Sequence, residues 1–173
     1  MCQRHQDANI LISQFADRLY PTAQELLDRA ASSHGGLKAL DTEQQLIGLF
    51  MATQEQVVQL MKYDTKLILP TLEPIVNQQT PKQGTNILEI NVLLKNKADK
   101  ITDLTERALD IYAQLPPDVQ AANRAISDFL LYLQQYLLVA YADRYAYFEE
   151  WTRSCPCMKE WAGTQPEPNK EGE

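Results

Sequence analysis

Side chains able to do chemistry are few in this chain. Its three cysteines and two histidines are Cys2, Cys155, Cys157, His5 and His34, and four of these five fall in the terminal segments. Cys2, His5, Cys155 and Cys157 together offer three thiolates and one imidazole, a donor set suited to tetrahedral zinc. The Cys-Pro-Cys spacing at 155–157 is tighter than the usual zinc knuckle. The same sulfurs suit a disulfide from Cys2 to Cys155 or Cys157, or unligated surface thiols. Three cysteines do not make a disulfide framework, and such usage suits a reducing compartment, hence a cytoplasmic protein. Nucleophilic catalysis needs an imidazole held by packed neighbours. His5 lies near the chain start and His34 beside Gly35 and Gly36, so the chain reads as a non-enzyme.

Two carboxylates have a shared setting. Asp64 follows Leu60 by four residues and Asp143 follows Val139 by four, each before a bulky apolar pair; the first stretch runs on through Leu67, Ile68 and Leu69 to Pro70. Paired carboxylates do acid and base work only in a pocket that raises one pKa. The ordinary reading is a pair of helix-surface acids, near Lys66 and Arg144 respectively. The pattern resembles the hemerythrin-like bundle, whose second and fourth helices carry a His, a carboxylate four residues later, and an apolar run ending in proline. That resemblance implies iron-binding imidazoles at Leu60 and Val139 and near Asn9 and Ala98, none of which is histidine here. A di-iron site needs several imidazole nitrogens, so the resemblance implies a bundle that has lost its metal and does not bind oxygen.

Aromatic residues form the third constellation. Tyr132, Tyr136, Tyr141, Tyr145 and Tyr147 crowd one segment together with Phe129, Phe148 and Trp151. A helix apolar on nearly every side is either central in its fold or presents a second face to something else. Tyrosine tolerates partial exposure and is enriched where proteins meet. These five tyrosines are therefore the candidate partner-binding residues, with a thick core and tyrosines snorkelling to water as the alternative.

The elements that must position these groups are helices. Over 87–115, apolar residues recur in threes and fours at Ile87, Ile90, Leu94, Ile101, Leu104, Ala108, Ile111 and Leu115. A rod of about 43 Å is unstable in water without partners. A first helix carries Ile12, Phe15, Ala16, Leu19, Ala23, Leu26 and Ala30, stops at Gly35-Gly36, and kinks or restarts at Pro21. A second starts at Asp41-Thr42 with Gln44 and Gln45 as capping partners, and runs through Leu46, Phe50, Val57, Leu60 and Met61 to a break at Pro70. The fourth opens at Pro116-Pro117-Asp118 and buries Ala122, Ile126, Leu130, Leu133, Leu137, Ala140 or Tyr141, Phe148 and Trp151. The expected fold is all-α: an antiparallel up-down-up-down four-helix bundle over 1–152, kinked near Pro21 and Pro70, then a Cys-Pro-Cys segment and acidic tail over 153–173.

Sixteen basic against 23 acidic side chains give a net charge of −7. That balance disfavours an electrostatic grip on nucleic acid or anionic lipid. The most apolar run, 126–141, is interrupted by Asp128, Gln134 and Gln135 and is too short for a membrane span; the start has no apolar stretch of a secretory leader. The reading is a non-enzymatic interaction module, an adaptor, regulatory subunit or inhibitor, binding another protein or itself through the fourth helix. The alternative is a metal or small-molecule sensor using the bundle interior or the terminal Cys/His cluster.

Overall fold

The computed structural model describes residues 15–33, 41–64 and 87–154, and every regular element among them is helical. A π-helical turn, Phe15–Leu19, runs directly into α1, Tyr20–Ser32, whose second residue is Pro21. The buried line of α1 is Tyr20, Ala23, Leu27 and Ala30. Leu27 thus takes the place expected of Leu26, which is only partly buried. In α2, Asp41–Tyr63, the line is Leu46, Phe50, Thr53, Val57 and Leu60, and Asp41 and Glu43 lie at the positive end of the helix dipole. In α3, Ile87–Ala113, Leu94, Ile101, Thr105 and Ala108 are buried. A turn then carries Leu115 into the core.

The expected fourth helix is divided. Its first piece is α4, Pro117–Ala122, and its second is α5, Arg124–Tyr132, with the buried Asn123 between them. The Asn123 amide donates to the Val119 carbonyl at 2.9 Å and to Glu43 Oε1 at 2.7 Å. A side chain that bonds the backbone locally competes with the helical ladder. A second π-helical turn, Leu133–Leu137, joins α5 to α6, Leu138–Ser154.

The helices share one core. α2 packs on α3, α1 on α5, and α3 on both α5 and α6. Phe50 of α2 meets Phe129 of α5 edge to face, with ring centroids 5.8 Å apart. No described helix is long and apolar enough to cross a membrane. Pro70, Cys2, His5, Cys155 and Cys157 lie outside the described residues, as does the expected kink at Pro70.

Gly48 sits inside α2, exposed, and a Cβ built there meets nothing within 4 Å. Glycine within a helix costs about 0.5–1 kcal/mol relative to alanine. Gly48→Ala is therefore expected to raise the urea midpoint by the equivalent of about 0.5–1 kcal/mol. A lowered midpoint would mean that the site is not the open helical position described.

Candidate functional site

Where α1 begins, α2 ends and α6 passes, four polar side chains close on one another inside the core. Asp64 and Arg144 are both 0% exposed. The guanidinium grips the carboxylate with both terminal nitrogens: Nη1 donates to Oδ2 at 2.9 Å and Nη2 to Oδ1 at 2.5 Å. Such forked, charge-assisted bonds are among the strongest available to a protein. The Tyr20 hydroxyl donates to Asp64 Oδ2 and is hydrogen-bonded in turn to the Tyr141 hydroxyl. Since the Tyr20 proton is directed at Asp64, Tyr141 is the donor to Tyr20. The Arg144 guanidinium carbon also lies 5.8 Å from the Tyr141 ring centroid.

The expectation for Asp64 is therefore corrected. It is no surface acid beside Lys66; it is an interior anion whose cation comes from α6. Asp143 is exposed as expected, while its neighbour Arg144 turns inward. One step along a helix rotates the side chain by about 100°, enough to part the two.

Burial dominates the titration of this cluster. It raises the pKa of Tyr20 and of Tyr141 well above the usual tyrosine value, and the nearby Asp64 charge adds to both shifts. For Arg144 burial works against the charged form, but the bonds and charge of Asp64 more than offset it, and the guanidinium is held charged.

The tyrosines proposed as partner-binding divide between inside and outside. Tyr141 is fully buried, so it cannot present itself to a partner. Tyr132, Tyr145 and Tyr147 are partly buried, and Tyr136 is 57% exposed. The Tyr132 hydroxyl donates to the Leu19 carbonyl at 2.9 Å, and its ring lies 5.6 Å from that of Tyr136. Val139 (50% exposed) and Leu131 (37%) stand out from the same run. Residues 129–142 carry no charged side chain at all. Elsewhere, an open groove of about 490 Å³ between α2 and α3 is lined by Gln45, Gly48, Leu49, Arg107, Asp110 and Ile111.

No family model, curated protein or solved structure matches this chain.

The residues do not fit an iron centre of the kind that the hemerythrin-like resemblance implies. Leu60 is buried but offers no ligand atom, Ala98 is partly buried, Val139 is half exposed, and Asn9 lies outside the described residues. Both oxygens of Asp64 are already engaged by Arg144 and Tyr20. No group of three or more His, Cys, Asp or Glu side chains among the described residues could hold a metal ion. The proposed zinc set, Cys2, His5, Cys155 and Cys157, lies outside those residues.

Sequence spacing missed Tyr20 and Arg144 as members of the cluster. A signal for Arg144 exists: it falls three after Tyr141 and seven after Leu137, on the buried line of its helix. An arginine on an apolar line needs a buried anion.

Two outcomes follow. Removing one charge strands the other in the core, so Asp64→Asn is expected to lose on the order of 3–5 kcal/mol. The apolar double variant Asp64→Leu/Arg144→Met is expected to recover most of that loss in urea denaturation; equal losses in single and double variants would contradict the pairing. The second concerns alkali. A tyrosine whose folded pKa is raised keeps its proton while the unfolded chain loses it above about pH 10. Each such group withdraws about 1.4 kcal/mol of stability per pH unit beyond that point. In phenolate absorbance titrations, Tyr20 and Tyr141 should ionise only with unfolding; smooth ionisation of all 8 tyrosines in folded protein would refute their burial.

Proposed function

We propose that this chain is a non-enzymatic protein-interaction module, docking through the outer face of the run that spans α5 and α6. The observation that carries this reading is the exposure of Leu131, Tyr136 and Val139 on one stretch, 129–142, that carries no charged side chain. Exposed apolar side chains gathered on one face, with aromatic rings among them, are the composition of interface cores. A turn of π-helix at that face, Leu133–Leu137, adds support, because such turns are frequent at functional sites.

The module is read as an up-down-up-down four-helix bundle. Contacts that agree with it are Tyr20 at the start of α1 meeting Asp64 after α2, and Asn123 before α5 meeting Glu43 at the start of α2. The hemerythrin-like resemblance enters this proposal at the level of helix order alone. The non-enzymatic reading draws on the buried cluster: its acid and its cation face each other and are closed off from solvent. A cytoplasmic location belongs to the same proposal, on the cysteine usage.

Affinity capture from the native source with tagged variants tests the docking face. Tyr136→Glu is expected to abolish capture of bound protein. Met51→Glu makes the same kind of change at an exposed apolar residue of α2, and is expected to leave capture intact. Capture that survives Tyr136→Glu, or is lost only with Met51→Glu, overturns the assignment.

A further inference from the structure

We infer that α4 is a strap over one end of the helical core, held shut by two side-chain clasps and able to open as a unit while the other helices stay folded. Burial does little of the holding. None of the six residues of α4, Pro117–Ala122, is buried, and Val119, partly buried, packs against the core. A helix of six residues does not persist in water by itself. Detachment and melting of α4 are therefore one event.

The first clasp joins α4 to the end of α3, and it is reciprocal. The Tyr112 hydroxyl donates to the Gln120 carbonyl at 2.9 Å, and the Gln120 amide donates back to the carbonyls of Tyr112 at 3.1 Å and Ala113 at 3.4 Å. Those two carbonyls lie in the last turn of α3, where the helical ladder runs out of donors. The second clasp reaches α2. Asn123, 4% exposed, donates through Nδ2 to Glu43 Oε1 at 2.7 Å and to the Val119 carbonyl at 2.9 Å. A bond to a carboxylate is stronger than one between neutral groups, so the Glu43 bond is the strongest single tie at this corner. The backbone favours re-closing: Pro116 and Pro117 lock φ, that of Pro116 at −56°, in the open chain as in the closed one. Leu115, 4% exposed, is seated immediately before the strap and Val119 within it. Opening turns both toward water.

Hydrogen exchange of the full chain at residue resolution, with urea raised in steps below the unfolding transition, tests the inference. The reporters are the amides of Gln120 and Asn123, which bond the Pro116 and Val119 carbonyls at 2.9 and 3.1 Å respectively. Both are expected to exchange at least about tenfold faster than amides near Phe129, at rates that urea scarcely changes, because a small opening exposes little surface. Glu43→Ala should speed both by on the order of tenfold or more, since it leaves the Asn123 amide without its acceptor. Glu43→Gln, which keeps an acceptor, should speed them less. In an Asn123→Ala background Glu43→Ala should add nothing. Tyr112→Phe cuts the other clasp and should also speed both amides. Exchange at Gln120 and Asn123 that follows urea as steeply as exchange near Phe129 overturns the inference, because the strap then opens only with the whole molecule. Exchange as fast as in an unfolded chain, or unchanged by both Glu43→Ala and Tyr112→Phe, overturns it too.

Discussion

An aspartate and an arginine that have both left water are the constraint around which this molecule is arranged. Asp64 and Arg144 are wholly enclosed, and each is tolerable there only because the other is in bonding distance. The cost of transferring either charge alone into the interior is several kcal/mol. The helices that carry them must consequently arrive together. Tyr20 adds a third segment to the same point, since its hydroxyl reaches Asp64 from the start of α1 and accepts the hydroxyl proton of Tyr141.

Such a cluster supplies what an aliphatic seam lacks. Leucine is the commonest residue of the buried core, with Leu27, Leu46, Leu60, Leu94, Leu130, Leu133 and Leu137 among its members, and leucine contacts are interchangeable enough to survive a slip of one helical turn, about 5.4 Å. A forked ion pair does not survive it, because hydrogen bonds fail beyond about 3.5 Å and both charges would be left buried alone. The seam provides the apolar burial; the pair selects one alignment among those the seam permits. At the opposite end of α2 the Asn123 amide, held by Glu43 and by the Val119 carbonyl, marks the break between α4 and α5.

The run from α5 into α6 serves both sides of the fold. Inward it gives Ile126, Phe129, Leu130, Leu133, Leu137, Tyr141 and Arg144 to the core; outward it gives Leu131, Tyr136 and Val139 to solvent. The sequence pattern made this duality visible, since apolar periodicity read along 126–137 names most of the buried residues, and tyrosines on nearly every side mark the surplus. It also put Leu46, Phe50, Val57 and Leu60 on the buried line of α2 and Leu94, Ile101 and Ala108 on that of α3. The electrostatics were not visible in that way. Periodicity sorts residues by polarity, so Asp64 and Arg144 fall to the surface by type, and only their places on buried lines after Leu60 and Tyr141 speak otherwise. Tyr141 falls both on the seam and among the interface tyrosines when read from sequence, and burial decides for the seam; what spacing does not reveal is its hydroxyl partner Tyr20, far away in the chain. The π-helical turns leave no periodic signature within so few residues.

Residue-resolved hydrogen exchange on Arg144→Ala would show whether the buried pair holds these segments together. Amides near Ala23 in α1, near Leu60 in α2 and near Tyr141 in α6 are expected to lose protection together, while those near Phe50 and Phe129 keep theirs. Protection unchanged at all three places, or lost equally throughout the helices, would contradict the role given to Asp64 and Arg144.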